Sequence, residues 1–123
     1  MTFEDVRRLA LSLPGVEEST SYGAPAFKVG GKLLACQPAN VRTRDDGRTL
    51  VLFDVSVDER AMLVEAEPAA FFFNDHFREY PAVLVRLPAV TAAQVRPYLA
   101  RSWKLRAPKR LLRECEAAGS VPT

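Results

Sequence analysis

The chain has 123 residues, of which 48% are hydrophobic and 26% charged, with a formal net charge of +2. This size and composition predict one globular domain that buries its core without metal or disulfide help, and no apolar run approaches the roughly 20 residues that cross a bilayer. The two cysteines are far apart and form no CxxC motif, so we expect reduced thiols, a cytoplasmic protein, and neither a cofactor nor a metal site.

The first predicted element is a helix that begins after Thr2, with Asp5 as the second half of a capping box. Apolar side chains recur at helical spacing and form one face, which comprises Phe3, Val6, Leu9, Ala10 and Leu13. Pro14-Gly15 ends this helix. The polar, turn-rich residues 16–25 that follow (VEESTSYGAP) are predicted to form a loop.

Two hairpins are predicted next. The strand candidates AFKV and KLLACQ are separated by Gly30-Gly31, a pair that suits a tight hairpin turn. The segments VRTR and RTLVLFDV flank Asp45-Asp46-Gly47, in which Asp-Gly is a strong turn signal. The apolar run Leu50–Phe53 is continuous rather than alternating, which is typical of a central strand covered on both faces.

A short helix and a buried strand follow. Ser56 and Glu59 form a capping box before a helix that Pro68 ends. Residues 69–81 match neither the helical nor the strand period, and we expect two of the three phenylalanines at 71–73 in the core and one exposed. The segment AVLVRL then predicts a buried strand.

Two helices are predicted at the end of the chain. Thr91 and Gln94 form a third capping box, but Pro97 lies inside the helix that follows, so this helix is either bent or starts later than its cap indicates. A last helix has Pro108 at its first position and ends at Gly119.

This order of elements lacks the repeated crossover helices of a doubly wound fold. Hairpins in the middle of the chain with helices at both ends predict an α+β fold, in which a twisted antiparallel sheet has helices packed on one face. We expect a single domain over residues 1–118 and a frayed tail over residues 119–123.

The main functional candidate is a cationic segment near the C-terminus. Residues 91–113 contain seven cations and no acid, whereas residues 1–90 contain ten cations and thirteen acids. The candidate nucleic-acid contacts are Arg101, Lys104, Arg106, Lys109, Arg110 and Arg113. A clustered positive surface binds polyanions such as nucleic acid, and Trp103 could stack on an exposed base. Alternatively, these cations form a solvated face whose stems cover apolar surface, with Trp103 as a core anchor.

A second candidate is a pocket formed by Tyr22, His76 and Trp103. His76 is the only histidine, with Asp75 beside it and Glu79 three residues on, so a base with an orienting carboxylate is one interpretation. A structural histidine that closes the aromatic loop is the other, because no nucleophile motif accompanies it.

Four segments, in their order and spacing, resemble the MmcQ/YjbR-like family from about Phe3 to Leu112: LSLPGVEES, GAPAFKVGGKLLA, HFREYPAVLVRL and RSWKLRAPKRLL. The resemblance implies a CyaY-like fold and DNA binding through a double wing motif. It supplies no catalytic residues that map onto this chain, so we expect no enzymatic activity. Double-stranded DNA, bound mainly through phosphates and with low sequence specificity, is the expected partner. The alternative is a module that binds a protein or a small ligand in the cleft between the sheet and the C-terminal helices.

The chain departs from shorter members of that family between Gln37 and Thr49, where it carries a longer loop with acids and bases. Arginines 42, 44 and 48 could form a wing tip that enters a groove of DNA. The carboxylates of Asp45 and Asp46 lie between them, however, and would repel phosphate.

Overall fold

The computed structural model describes residues 1–39 and 47–122. Within these ranges the helices are α1 (Phe3–Leu11), α2 (Val57–Ala66), α3 (Ala92–Arg106) and α4 (Lys109–Ala118). The strands are β1 (Val16–Ser21), β2 (Ala24–Val29), β3 (Lys32–Cys36), β4 (Thr49–Phe53), β5 (Phe71–Phe72) and β6 (Ala82–Arg86). Single turns of 3-10 helix lie at Asp75–Phe77 and Leu87–Ala89.

In the described part of the chain, the six strands form one sheet in the order β1-β2-β3-β4-β6-β5, and every neighbouring pair is antiparallel. The predicted α+β class with an antiparallel sheet is therefore confirmed. The predicted hairpin at Gly30-Gly31 joins β2 to β3, and the continuous apolar run predicted as a central strand is β4, which is buried along its whole length.

Side-chain caps fix the starts of three helices, as predicted. The Thr2 hydroxyl accepts from the Asp5 amide at 3.2 Å, and the Asp5 carboxylate accepts from the Thr2 amide at 2.8 Å. Hydrogen bonding of the Asp5 carboxylate to Thr2 lowers the pKa of Asp5. Thr91 and Gln94 form the same reciprocal box, so α3 begins at its cap and continues through Pro97. The Ser56 hydroxyl accepts from the Glu59 amide at 3.1 Å and caps α2, but the predicted reciprocal half of this box is absent among the described residues, and the Glu59 carboxylate binds Arg101 instead.

Alternation along the strands divides the core between the two faces of the sheet. On one face, Leu50 and Leu52 of β4 pack in a cluster with buried side chains of α1, α3 and α4. On the other face, Val51 and Phe53 belong to a smaller cluster that Phe77 partly covers. Helices therefore cover one face of the sheet as predicted, and the second face is only partly covered.

The predicted loop over residues 16–25 is wrong for eight of its ten residues, because the first six form the edge strand β1 and the last two begin β2. The polarity that suggested a loop follows from the edge position, because all six residues of β1 are at least partly in water. Pairing with β2 stabilises the strand and places Glu17 opposite Lys28, an opposite-charge pair that favours this register.

Two further predictions concern the loop and the tail. The first strand of the predicted second hairpin (VRTR), together with Arg42, Arg44, Asp45 and Asp46, lies outside the described residues. Val121, within the tail that the sequence predicts to fray, is half-buried and packs against the core.

Candidate functional site

Two of the six predicted phosphate contacts are already bound to acids. Arg101 makes a bidentate pair with Glu59, at 2.7 and 3.1 Å, and donates to the backbone carbonyl of Asp54 at 3.0 Å. The hydrogen bonds to Glu59 raise the pKa of Arg101. Arg106 forms an ion pair with the Asp54 carboxylate and lies over the ring of Phe53. These two arginines join α3 to α2 and to the end of β4, so we remove them from the candidate nucleic-acid surface.

The other four cations are exposed and lie at the junction between α3 and α4. Lys104 is in the last turn of α3, and Lys109, Arg110 and Arg113 are in the first half of α4. Arg110 lies 3.8 Å from Glu114, and both side chains are mostly in water, so this pair is weak. The half-buried side chains of Leu111 and Leu112 pack on the core and point the cations of α4 outward.

A further lysine adjoins these four. Gly30, in the β2–β3 turn, lies so close to Pro108 that a Cβ added at Gly30 would stand 2.7 Å from the proline ring. Gly30 also has a φ of +57°, a conformation that favours glycine, so both the turn and the close approach require it. The exposed Lys32 is the first residue of β3, two positions after Gly30, so this contact brings its backbone near the start of α4. We call the five residues Lys32, Lys104, Lys109, Arg110 and Arg113 the α4 patch.

The charges along α4 run against the helix dipole. Lys109 and Arg110 occupy the first turn, where the dipole is positive and acids are favoured, whereas Glu114 and Glu116 lie in the second half. Pro108 provides no side-chain cap, and the first three amides of the helix make no hydrogen bond with any described residue. This end of α4 therefore presents free N–H donors and two cations to solvent, an arrangement that suits an anion.

Trp103 lies in the core, not on this surface. Its side chain is fully buried, and its indole N–H donates to the Pro14 carbonyl at 2.7 Å. The base-stacking hypothesis for Trp103 is therefore wrong, and the core-anchor alternative is confirmed. The physical reason is that the helical turn that exposes Lys104 directs the neighbouring Trp103 toward the sheet.

A cavity of about 560 Å³ lies on the sheet face opposite the C-terminal helices. Tyr22 and His76 both line it, so the structure brings these two predicted pocket residues together. Trp103 is separated from them by the sheet, and the predicted cleft between the sheet and the C-terminal helices is not where this cavity lies. Phe53, Phe77 and Tyr80 complete the cavity's aromatic lining; the last two belong to the aromatic segment that the sequence shows, but none of the three was predicted as a pocket residue.

The acid–base chemistry considered for His76 finds no support in its surroundings. Asp75 forms an ion pair with Arg78, and among the described residues the His76 imidazole makes no hydrogen bond with a carboxylate or thiol. The imidazole packs edge-to-face against the ring of Phe77, with ring centroids 4.7 Å apart. Burial raises the pKa of the Cys36 thiol to about 11, so this cavity residue is protonated and weakly nucleophilic at neutral pH.

The described residues also bear on metal and membrane binding. Over residues 1–39 and 47–122, no three His, Cys, Asp or Glu side chains gather where they could hold a metal ion. In the same ranges, each helix is too short or too polar to span a bilayer. Both cysteines are buried and free.

Comparison with known proteins identifies the family. Residues 11–105 match the family model YjbR. The chain belongs to the YjbR family. Relatives include Uncharacterized protein Rv2570 of Mycobacterium tuberculosis (strain ATCC 25618 / H37Rv) and Uncharacterized protein Mb2600 of Mycobacterium bovis. Each is 30% identical over 122 residues, which cover 90% of this chain and 92% of the relative.

A solved structure supports the fold of this YjbR chain. The crystal structure of Deinococcus radiodurans protein DR2400, which has a DUF419 domain, is similar with a TM-score of 0.70 and 23% sequence identity. The likeness covers 94% of this chain and 88% of that one. The family resemblance and the α+β fold expected from the sequence are thus confirmed.

Proposed function

We propose that this YjbR protein binds double-stranded DNA without enzymatic action, through phosphate contacts made by the α4 patch and with low sequence specificity. The observation that carries the proposal is the charge order of α4. Lys109 and Arg110 stand in an uncapped first turn, where each cation costs the helix about 0.3–1 kcal/mol. Helix stability does not explain this arrangement, whereas a bound phosphate would be stabilised by the cations, the free amides and the helix dipole together.

The neighbouring cations extend this site into a surface suited to a phosphate backbone. Lys32 stands beside the start of α4 at a hairpin turn, and Lys104 precedes it at the end of α3. A hairpin turn beside a helix N-terminus agrees with the double wing that the family resemblance implies. No aromatic side chain of the α4 patch is available for stacking on a base, so phosphate contacts dominate and sequence preference is low.

A charge reversal at the first residue of α4 separates DNA binding from stability. We expect Lys109→Glu to lower affinity for a 20-base-pair duplex on the order of tenfold or more, because a phosphate contact becomes a repulsion. The same change should leave the free energy of unfolding equal or raise it by up to about 1 kcal/mol, because an acid in the first turn complements the helix dipole. Fluorescence anisotropy measures the first quantity and urea unfolding the second.

The matched control is Arg96→Glu. Arg96 is exposed on the N-terminal half of α3, and the substitution changes the net charge by the same amount. We expect it to reduce DNA affinity by less than about threefold, since only long-range electrostatics is altered and salt screens it. Equal losses for the two variants would show that net charge, not the α4 patch, governs binding.

A further inference from the structure

The cavity on the second sheet face has the size and lining of a small-molecule site. Its volume of about 560 Å³ lies within the range of roughly 300–1,000 Å³ that is typical of ligand pockets. Leu33, Cys36 and Val51 of the sheet form its floor. None of the described residues that line it carries a carboxylate, ammonium or guanidinium group. A charged ligand would lose its hydration there without gaining a counter-ion, so the lining selects against charge.

One side of the cavity is a continuous row of rings, which we call the aromatic wall: Phe53, Tyr80, Phe77 and His76. Consecutive ring centroids are 6.2, 6.3 and 4.7 Å apart. A buried arginine, Arg60, holds this wall in place by donating to the backbone carbonyls of Phe77 and Tyr80 at 2.7 and 3.1 Å. Rings fixed in this way offer a planar ligand large contact area without loss of side-chain freedom.

Tyr22 is placed at this cavity by a turn that does not favour tyrosine. Tyr22 and Gly23 are the two residues between the paired ends of β1 and β2, and both have positive φ, of 50° and 79°. A two-residue turn of this kind favours Asn, Asp or Gly at its first position, because a bulky side chain is strained there. Tyr22 is 94% exposed and its ring makes no contact with the ring of another described residue, although it lines the cavity. The turn explains the positive φ of Tyr22, but it does not explain why the residue at this position carries an aromatic ring.

Unused polar groups provide directional contacts. Among the described residues, neither the hydroxyls of Tyr22 and Tyr80 nor the imidazole of His76 makes a hydrogen bond. In an apolar pocket, a few polar groups of this kind orient a ligand that has a hydrogen-bond donor or acceptor at its edge.

We propose that this cavity binds an uncharged, flat heteroaromatic small molecule between the ring of Tyr22 and the aromatic wall. This site is independent of the α4 patch, because the sheet separates the cavity from α4. Loss of one activity therefore says nothing about the other.

Titration with indole, an uncharged bicyclic probe, tests the proposal on protein with labelled methyl groups. We expect indole to shift the methyl resonances of Leu33 and Val51, which face the cavity, with a dissociation constant on the order of 0.1–1 mM for a ligand of this size. The methyl groups of Val6 and Leu99, on the opposite face of the sheet, should not shift. Indole-2-carboxylate should bind at least about tenfold more weakly, because its charge would have to be desolvated.

Tyr22→Gly distinguishes a ligand contact from a structural role. Glycine suits the positive φ, so the melting temperature should not fall, whereas loss of the ring should weaken indole binding about three- to tenfold. Met62→Ala, which removes a side chain that is exposed elsewhere on α2, is the control and should bind indole normally. The proposal is overturned if indole leaves the cavity methyl groups unshifted, if the carboxylate binds equally well, or if Tyr22→Gly binds indole like the unsubstituted protein.

Discussion

Replacing Arg60 with methionine is expected to destabilise the protein by about 3–5 kcal/mol, a large part of the 5–15 kcal/mol that is usual for a domain. Arg60 is 2% exposed, and its guanidinium donates to four backbone carbonyls, those of Phe77, Arg78, Tyr80 and Ala82, at 2.5–3.1 Å. No carboxylate pairs with it among the described residues, so backbone carbonyl dipoles are the main groups that stabilise the buried charge.

The loss of stability expected for Arg60→Met is smaller than the summed contributions of the four hydrogen bonds that it removes. The carbonyls of Phe77 and Tyr80 also accept backbone amides, whereas the Arg78 carbonyl has no other donor among the described residues. Arg60 also lies over the ring of Phe73 at 4.1 Å, a contact that methionine would replace only in part. Arg60→Lys should recover little, since a single ammonium cannot reproduce the guanidinium fork.

Urea unfolding measures this effect, and Arg78→Met is the matched control. Arg78 belongs to the same segment, but its side chain is exposed and, within the described part of the chain, pairs only with Asp75, so its loss should cost less than about 0.5 kcal/mol. A change below about 1 kcal/mol for Arg60→Met would contradict a central role for this residue in holding residues 77–82 to α2.

Trp103→Ala is expected to destabilise the protein by about 3–5 kcal/mol, because the fully buried indole would leave a cavity between α3 and the sheet. Trp103→Phe should cost about 1–3 kcal/mol, since it also leaves the Pro14 carbonyl without its donor. The phenylalanine variant should keep DNA affinity within about twofold, because position 103 does not reach the surface.

Fluorescence checks the placement of Trp103 directly, because the chain contains a single tryptophan. A buried indole should emit at short wavelength, resist quenching by iodide and respond little to added duplex DNA. Strong quenching by DNA, together with a loss of DNA affinity in Trp103→Phe measured by anisotropy of a labelled duplex, would instead restore the stacking hypothesis.

Local signals in the sequence predicted the helices and the central strands well. The caps at Thr2, Ser56 and Thr91 depend on residues three positions apart, so their geometry is encoded nearby. The buried run of β4 and the glycine pair before β3 are equally local. The strand β1 was missed because an edge strand needs no apolar alternation, and its pairing with β2 is a tertiary interaction.

The candidate sites depend on contacts that the sequence does not encode locally. Arg101 and Arg106 look like the other cations of the C-terminal segment, and only the fold brings Glu59 and Asp54 to them. Lys32 was missed because its place beside α4 follows from the contact of Gly30 with Pro108, although its position after a hairpin turn was a usable signal.

The cavity was anticipated only in part, for a related reason. Tyr22 and His76 were assigned to one pocket because of their residue types and their neighbours in the sequence. The fold places both at one cavity. Trp103 was grouped with them by the same criterion, yet helical periodicity turns it to the opposite side of the sheet. The buried Arg60 gave no signal at all, because a charged residue in a polar helix is normally assigned to the surface.

The salt dependence of duplex DNA binding tests the proposed function most directly. With five cations of the α4 patch on phosphates, the logarithm of the association constant should fall against the logarithm of salt concentration with a slope of about −4 to −5. Lys109→Ala combined with Arg113→Ala should reduce the slope by about two. Absence of binding at about 50 mM salt, or a slope that the double substitution leaves unchanged, would contradict the proposal.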